Sequence, residues 1–406
     1  MRQVATACLL ILAIPATQAF CDWQEPPSGL PGNFIIGLQS AEVIADGDYA
    51  LAADAGFNLA VPVRPGLEYA RALMWACFCA DIRMVAWDPR ISTYELNDWD
   101  VYSQMFQEYR DFPTVAGYVL YDLLVVPPSR LPSLGWHVRE IGGADGFRFR
   151  YAEVVPMSGF PDENAYRQYL RQYYRAGCAF AVYEETAPFS RDAIRAMKAT
   201  AEGAAQATEE GRQAPAYQRI TVRREWWRRC RLADADPAML RWQAYSAAAA
   251  GARGIIYLVA RPVGAGSCSA RTDSLLDAAG APSAAFDVTK AANTRLAAVG
   301  RMLMAATSSS FYTLGTMPES LPAPAGAPIA SVRSSAENDG FLVGVLNDGA
   351  ARYAFIVRAP SPGRQPAQVQ IELAANTTAT IAETGQPLNG PLALLPGEGQ
   401  LLQIRR

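Results

Sequence analysis

Eight short runs rich in β-branched and aromatic residues recur between residues 33 and 260, at 33–40, 58–63, 82–88, 114–122, 148–156, 179–185, 217–222 and 254–260. Each has the length and the flanking turn residues of a strand. Helix-compatible segments lie between them, at 41–55, 67–80, 101–110, 162–176, 191–208 and 237–250. A chain that returns to its sheet through a helix lays the next strand parallel to the last. Eight such units in roughly 250 residues predict an α/β fold, a (β/α)8 TIM barrel. A doubly wound open sheet is the competing arrangement, but no GxGxxG follows the first strand. Asp162 and Asp236 are placed to cap helices, Pro237 suits a first helical position, and Gly177 and Gly251 stop the turns. The alanine run 247–250 is read as a close-packed helix.

After Thr307 the texture changes. Pro318, Pro322, Pro324 and Pro328 mark residues 307–328 as linker-like, and alternating runs follow at 341–346, 353–357, 369–373 and 401–404. These predict a small all-β sandwich over 329–406 behind a barrel over 20–306. At the other end, Arg2, the apolar run 5–14 and Thr17-Gln18-Ala19 have the form of a signal peptide over 1–19, which implies a secreted or periplasmic protein. No later stretch has the roughly 18 uninterrupted apolar residues of a membrane span.

Composition narrows the chemistry. Half of the 406 residues are apolar and 18% are charged, which a folded domain explains and a disordered chain does not. The formal net charge of -3 gives no electrostatic footprint for nucleic acid. His137 is the single histidine, so mechanisms and metal sites that need two are excluded, and it is read as a structural or surface residue. Six cysteines remain beyond Cys8, and their connectivity is open. Cys77 and Cys79, one residue apart, match no common zinc spacing. Neither a GxSxG elbow nor a P-loop occurs, so acyl and nucleotide hydrolysis have no residue basis.

Four passages carry a resemblance, in order along the chain. They are Gly117-Tyr-Val-Leu-Tyr-Asp122, Tyr183-Glu-Glu-Thr-Ala-Pro-Phe189, Asp236-Pro-Ala-Met-Leu-Arg-Trp-Gln-Ala-Tyr with its continuation to Tyr257, and Leu395-Pro-Gly-Glu-Gly-Gln-Leu-Leu402. Together they resemble β/α-barrel glycoside hydrolases of the β-galactosidase-like group around family 42 and related secreted proteins. The resemblance implies a carbohydrate partner and a pair of carboxyl groups at the barrel mouth. It also exposes a departure: such relatives follow the fourth-strand Asp with Glu-Pro, whereas this chain reads Asp122-Leu123-Leu124. Leucine can neither give nor take a proton.

In a barrel the residues that finish the strands form the active site. That rule selects Trp87, Asp88, Tyr121, Asp122, Glu184, Glu185 and, beyond the run 217–222, Glu225. Glycoside cleavage uses a proton donor and a nucleophile or base, so Asp122, Glu185 and Glu225 are the catalytic candidates. By the resemblance, Glu225 follows the strand that carries the nucleophile. Its structural alternative is a surface ion pair with Arg223, Arg224, Arg228 or Arg229. Asp122 has a helix cap as its alternative, Glu185 a salt bridge and Asp88 a turn before Pro89. Adjacent Glu184 and Glu185 point to opposite faces of a strand, so one alone enters the mouth. Trp87, Trp226 and Trp227 are expected to stack on sugar rings, and Trp75 and Trp242 to pack the core. A two-carboxylate mechanism calls for no metal and no cofactor.

Three functions compete on these residues. The first is a glycoside hydrolase acting on an oligo- or polysaccharide. The second is a non-catalytic carbohydrate-binding protein on the same fold, suggested by Leu123. The third is a structural module whose barrel mouth is filled by the arginine-rich stretch 223–231.

Overall fold

The computed structural model of the chain describes residues 34–40, 46–62, 66–92, 99–110, 112–120, 125–145, 148–177, 180–183, 189–213, 225–231, 236–259, 275–276, 281–306, 308–361 and 365–405. The expected signal segment 1–19 lies outside them.

The first part of the chain builds one parallel sheet. Its strands are β1 (Ile35–Ser40), β2 (Leu59–Pro62), β3 (Arg83–Ala86), β4 (Val115–Val119), β5 (Val125–Val126), β6 (Phe149–Tyr151), β7 (Glu153–Val154), β8 (Phe180–Tyr183), β9 (Glu225–Arg231) and β10 (Gly254–Val259). The spatial order is β5-β7-β8-β9-β10-β1-β2-β3-β4-β6. The single run expected at 148–156 is two strands with Ala152 between them: β6 pairs with β4, and β7 pairs with β8 and β5. Between Val119 and Val125 the chain advances six residues while its partner advances two, from Tyr151 to Glu153.

The helices are α1 (Asp46–Asp54), α2 (Leu67–Cys79), α3 (Pro89–Ser92), α4 (Trp99–Arg110), α5 (Leu131–Ala144), α6 (Glu163–Arg175), α7 (Arg191–Gln213), α8 (Pro237–Ala249) and α9 (Ala284–Ala305). Sequence patterning anticipates most of these but not α3, α5 or α9. Asp162 caps α6 by accepting from the Ala165 amide at 2.8 Å, and Gly177 ends that helix at φ 98°. At α8, Asp236 accepts from the Ala238 amide at 3.0 Å and Gly251 follows at φ 90°, as expected. A β-carbon at either glycine would strain this left-handed backbone.

Alternation along the strands divides the sheet into two faces. Ile36, Leu38, Ala60, Met84, Tyr118 and Ile255 face the helices and share a core with them. Tyr169 and Tyr173 of α6 donate hydroxyl hydrogen bonds to the Val126 and Ala152 carbonyls, at 2.7 and 3.0 Å, and so fix the helix to that face. The opposite face gathers Ile35, Leu59, Val61, Val85, Trp87, Ala116, Val119, Val182 and Ile256 into one apolar cluster. It draws on β1, β2, β3, β4, β8 and β10.

The seventh expected strand requires a correction. Residues 217–222 lie outside the described residues, and the strand itself is β9, so Glu225 opens a strand instead of following one. Flanking arginines made this run look like a solvated loop, yet it hydrogen-bonds on both sides, to β8 and β10. A second correction concerns 307–328. The stretch expected to be linker-like contains β11 (Ser308–Gly315), paired antiparallel along its length with β13 (Gly340–Asn347).

The remaining antiparallel strands are β12 (Ile329–Ser334), β14 (Arg352–Arg358), β15 (Ala367–Leu373), β16 (Thr378–Ile381), β17 (Leu392–Leu394) and β18 (Gly399–Arg405). They form sheets ordered β11-β13-β14-β18-β16 and β12-β15-β17. Tyr312, Val343, Ile356 and Leu402 of the first sheet meet Ile329, Val369 and Leu394 of the second in one core. That is a two-layer packing of antiparallel sheets.

Helix α8 joins the two regions. Ala244, Ala247, Ala248 and Ala249 are fully buried, as the close-packed reading of 247–250 requires, and a β-carbon at Gly344 would collide with the Ala249 carbonyl. Small residues on both sides permit this approach. Trp242 is buried as expected, but Trp75 is 61% exposed and stacks on Phe78 at the surface, with ring centroids 5.9 Å apart. Its helical spacing was compatible with a core face, whereas α2 turns that position outward. Cys77 is a buried free thiol and Cys79 an exposed one, while His137 is buried on α5.

Candidate functional site

The helix-free face of the sheet is apolar except near the carboxyl ends of its strands. On β1, Ile36 and Leu38 face the helices, so Ile35, Gly37 and Gln39 share the other face. A β-carbon at Gly37 would lie 2.9 Å from Ile256, so glycine there lets β10 pack closely. Gln39 is fully buried, its Nε2 reaches the Pro62 carbonyl at 3.5 Å, and its Oε1 has no hydrogen-bond partner. Trp87, one residue beyond β3, is 4% exposed and packs in the same cluster as Val61 and Val85, and its Nε1 also has no partner. An amide oxygen and an indole N–H are thus held on one face, desolvated and unsatisfied. Each such group costs about 1–3 kcal/mol unless a partner arrives.

Asp88 belongs to the other side. Its Oδ1 accepts from the Arg90 amide at 2.9 Å, Arg90 holds both carboxylate oxygens, and the Tyr109 hydroxyl donates to Oδ2 at 3.0 Å. Arg90 also bridges to Glu108 at 2.8 Å. Hydrogen bonding to Asp88 raises the Arg90 pKa, and the same guanidinium lowers that of Glu108. Burial, reinforced by the Asp88 charge, raises that of Tyr109. Both Asp88 oxygens are therefore engaged in fastening α3 and α4 to the end of β3.

Tyr121, Asp122, Glu184 and Glu185 lie outside the described residues. Their chain positions place Tyr121 and Asp122 between β4 and β5, and Glu184 and Glu185 directly after β8. Glu225 pairs with Phe180 at the amino end of the β8–β9 ladder, and Trp227 pairs with Val182. Trp226 lies between them. Glu225 is consequently at the end of the sheet opposite to that of Trp87 and Gln39.

One carboxylate escaped the sequence analysis. Glu153 of β7 is 3% exposed, and its register partner Val182 belongs to the helix-free cluster. A signal was available: Glu153 interrupts an otherwise uncharged run, 151–156, as Gln39 interrupts the apolar run 34–38. Among the described residues no group of three His, Cys, Asp or Glu side chains could hold a metal ion, and no helix is long and apolar enough to cross a membrane.

No protein-family model matches the chain, and no curated protein matches its sequence. Solved structures do match. A β-galactosidase from Bacillus circulans sp. alkalophilus aligns with a TM-score of 0.57 over 92% of this chain and 99% of its own, at 8% identity. The fold is glycosidase-like. A glucosidase from Croceicoccus marinus aligns over 94% of this chain and 97% of its own at 9% identity, with a TM-score of 0.44. A Thermotoga maritima α-fucosidase aligns over 89% and 74% at 10% identity, with a TM-score of 0.39. At such identities the glycosidase-like likeness speaks for architecture, and chemistry has to be argued from the residues.

Proposed function

We propose that this chain is a carbohydrate-active hydrolase whose parallel sheet closes into an eight-stranded barrel, with the reacting groups at the carboxyl ends of the strands. Closure is supported by residues 149–154, which pair with β4 through their first half and with β8 through their last. The helix-free cluster supports it too, because strands far apart in the sheet order contribute to it together. The observation that carries the functional reading is the pair of buried, unpartnered polar groups, Gln39 Oε1 and Trp87 Nε1, on that face. Sugar hydroxyls supply both the donor and the acceptor these groups lack.

Asp122 and Glu185 follow strand ends on this side and are the carboxylates we assign to glycoside cleavage. Tyr121 and Glu184 are assigned to the walls of the same cleft, whereas Trp226 and Trp227 follow Glu225 at the amino end of β9 and receive no place in it. Glu225 receives no reacting role, since it opens β9. Export through residues 1–19 belongs to the same reading, and detection of a mature chain beginning at Phe20 in the medium or periplasm would test it.

The deciding experiment screens the full chain for binding and hydrolysis of oligosaccharides beside Asp122→Asn, Glu185→Gln and Glu225→Gln. Hydrolysis by the parent, lost in the first two variants and kept in the third, is the expected result. Binding without product in the parent would convert the assignment to a carbohydrate-binding protein. Neither binding nor product would overturn it.

A further inference from the structure

Helices α8 and α9 meet the loop that joins β17 to β18 around a cavity of about 260 Å³. Arg241 and Tyr245 line it from α8, one turn apart. Val288, Ala291 and Ala292 line it from α9, where the short alanine side chains leave the gap open. The loop closes the remaining side. Leu395 borders the cavity, and Gly397, at φ 76°, comes so near to α8 that a β-carbon there would collide with the Ala238 carbonyl.

Most charges around this cavity are already matched. Arg295 pairs with Glu398 and, at 3.5 Å, with Glu383, and it donates to Gln400 at 2.8 Å. The second oxygen of Glu398 accepts from the Leu395 amide at 2.7 Å. Asp236, the other carboxylate that acts on Arg241, caps α8. Arg241 itself is left with one contact, from Nε to the Pro396 carbonyl at 2.9 Å. Its two terminal nitrogens have no hydrogen-bond or ion-pair partner among the described residues. Tyr245 is 2% exposed, and its hydroxyl also has no partner among them. Its ring is held edge-on to Phe355, with centroids 6.1 Å apart, and Arg295 lies 5.8 Å from its centre. Burial raises the hydroxyl pKa to about 12, so the group keeps its proton at neutral pH and can donate.

The unmet buried groups are therefore all donors, set beside the apolar side chains of Val288, Ala292 and Leu395. A carboxylate supplies acceptors only, in the planar form that a guanidinium fork matches. We propose that this cavity binds a small monocarboxylate with an apolar tail, its oxygens accepting from Arg241 and Tyr245 and its tail lying on Val288, Ala292 and Leu395. The site is independent of the hydrolase reading. Its ligand touches α8, α9 and the loop 395–398 together, so occupancy stabilises the junction between the parallel-sheet region and the sandwich.

The test titrates the full chain calorimetrically with acetate, butyrate, benzoate, benzamide and inorganic phosphate, and follows Tm with each. Benzoate or butyrate is expected to bind with a Kd below about 1 mM and to raise Tm, ahead of acetate. Benzamide, which matches benzoate in shape without its charge, should bind at least about tenfold more weakly. Tyr245→Phe keeps the ring and should weaken benzoate binding about 2- to 12-fold, the worth of one hydrogen bond. Arg241→Met should weaken it about 10- to 100-fold. Asp287, an exposed carboxylate on the rim, repels the ligand, so Asp287→Asn should tighten binding. If Arg241→Met does not fold, the other two variants carry the comparison. No carboxylate bound by the parent, or benzoate affinity unchanged in Tyr245→Phe, would overturn the assignment. Phosphate bound as tightly as benzoate would also overturn it, because the apolar walls would then contribute nothing. Each of these outcomes leaves the hydrolase reading intact.

Discussion

Buried polarity is handled in opposite ways in the two halves of the molecule. In the sandwich, Arg358 and Asp339 are almost fully buried, yet the guanidinium donates to Asp339, to the Leu394 carbonyl at 2.8 Å and to Ser361. In the parallel-sheet half, Gln39 and Trp87 present polar atoms that nothing completes, and every buried side-chain nitrogen or oxygen without a hydrogen bond among the described residues falls between Gln39 and Asn293. Folding alone explains a network that closes on itself. Polarity left open inside a sheet indicates a ligand. The largest effect should therefore come from opening the closed network. Arg358→Met leaves Asp339 buried beside no cation and is expected to cost about 3–5 kcal/mol in chemical denaturation. A loss under 1 kcal/mol would show that the sandwich tolerates open polarity and would remove the contrast.

Tyrosine ionisation sharpens the same contrast through pH. Burial pushes Tyr312 in the sandwich and Tyr245 of α8 up to about 12 from an ordinary 10.0. Below pH 10 the folded and unfolded chains both keep these protons, so stability is unaffected. Between pH 10 and 12 the unfolded chain alone ionises, and stability falls as pH rises. Two pKa units correspond to roughly 2–3 kcal/mol per tyrosine. Denaturation at pH 9 and pH 11.5 measures the loss, and Tyr312→Phe should remove one tyrosine's share of it. An identical decline in that variant would assign the alkaline lability elsewhere.

The junction between the halves ranks next. Gly344→Ala drives a methyl group into the Ala249 carbonyl and should cost about 1–3 kcal/mol, read as a lowered Tm. At Gly390, where nothing lies within 4 Å of an added β-carbon, alanine should change stability by less than about 0.5 kcal/mol. Equal shifts in the two variants would mean that α8 is not clamped against β13.

How much of this was legible in the sequence follows the physics of each element. Strands buried on both faces, such as β1 and β10, are apolar runs between turns and were read nearly to the residue. Caps were legible at Asp162 and Asp236 because the capping chemistry is local. Strand β9 was misplaced because Arg223 to Arg231 are dense in charge, and charge in a strand contradicts the apolar pattern used to find one. Strand β11 was hidden by the prolines that follow it, and Trp75 was misjudged because helical spacing does not say which face looks outward. For the site, the rule that strand ends carry function singled out Trp87 and placed Asp122 and Glu185 after β4 and β8. It passed over Gln39 and Glu153, whose placement depends on a pairing register that no local pattern encodes.

The smallest effect has the opposite sign. Gln39 occupies a site where its Oε1 accepts nothing and its Nε2 makes only a 3.5 Å contact with the Pro62 carbonyl. An unsatisfied buried amide loses its hydration without compensation, whereas leucine of similar size forfeits little there. Gln39→Leu is therefore expected to raise stability by about 1 kcal/mol, measured by denaturant titration, and to weaken oligosaccharide binding at the same time. A residue that costs stability and is required for binding is what the open half of the molecule calls for. Should Gln39→Leu destabilise the chain and leave binding untouched, the amide would be structural, and the difference between the two halves would lose its functional meaning.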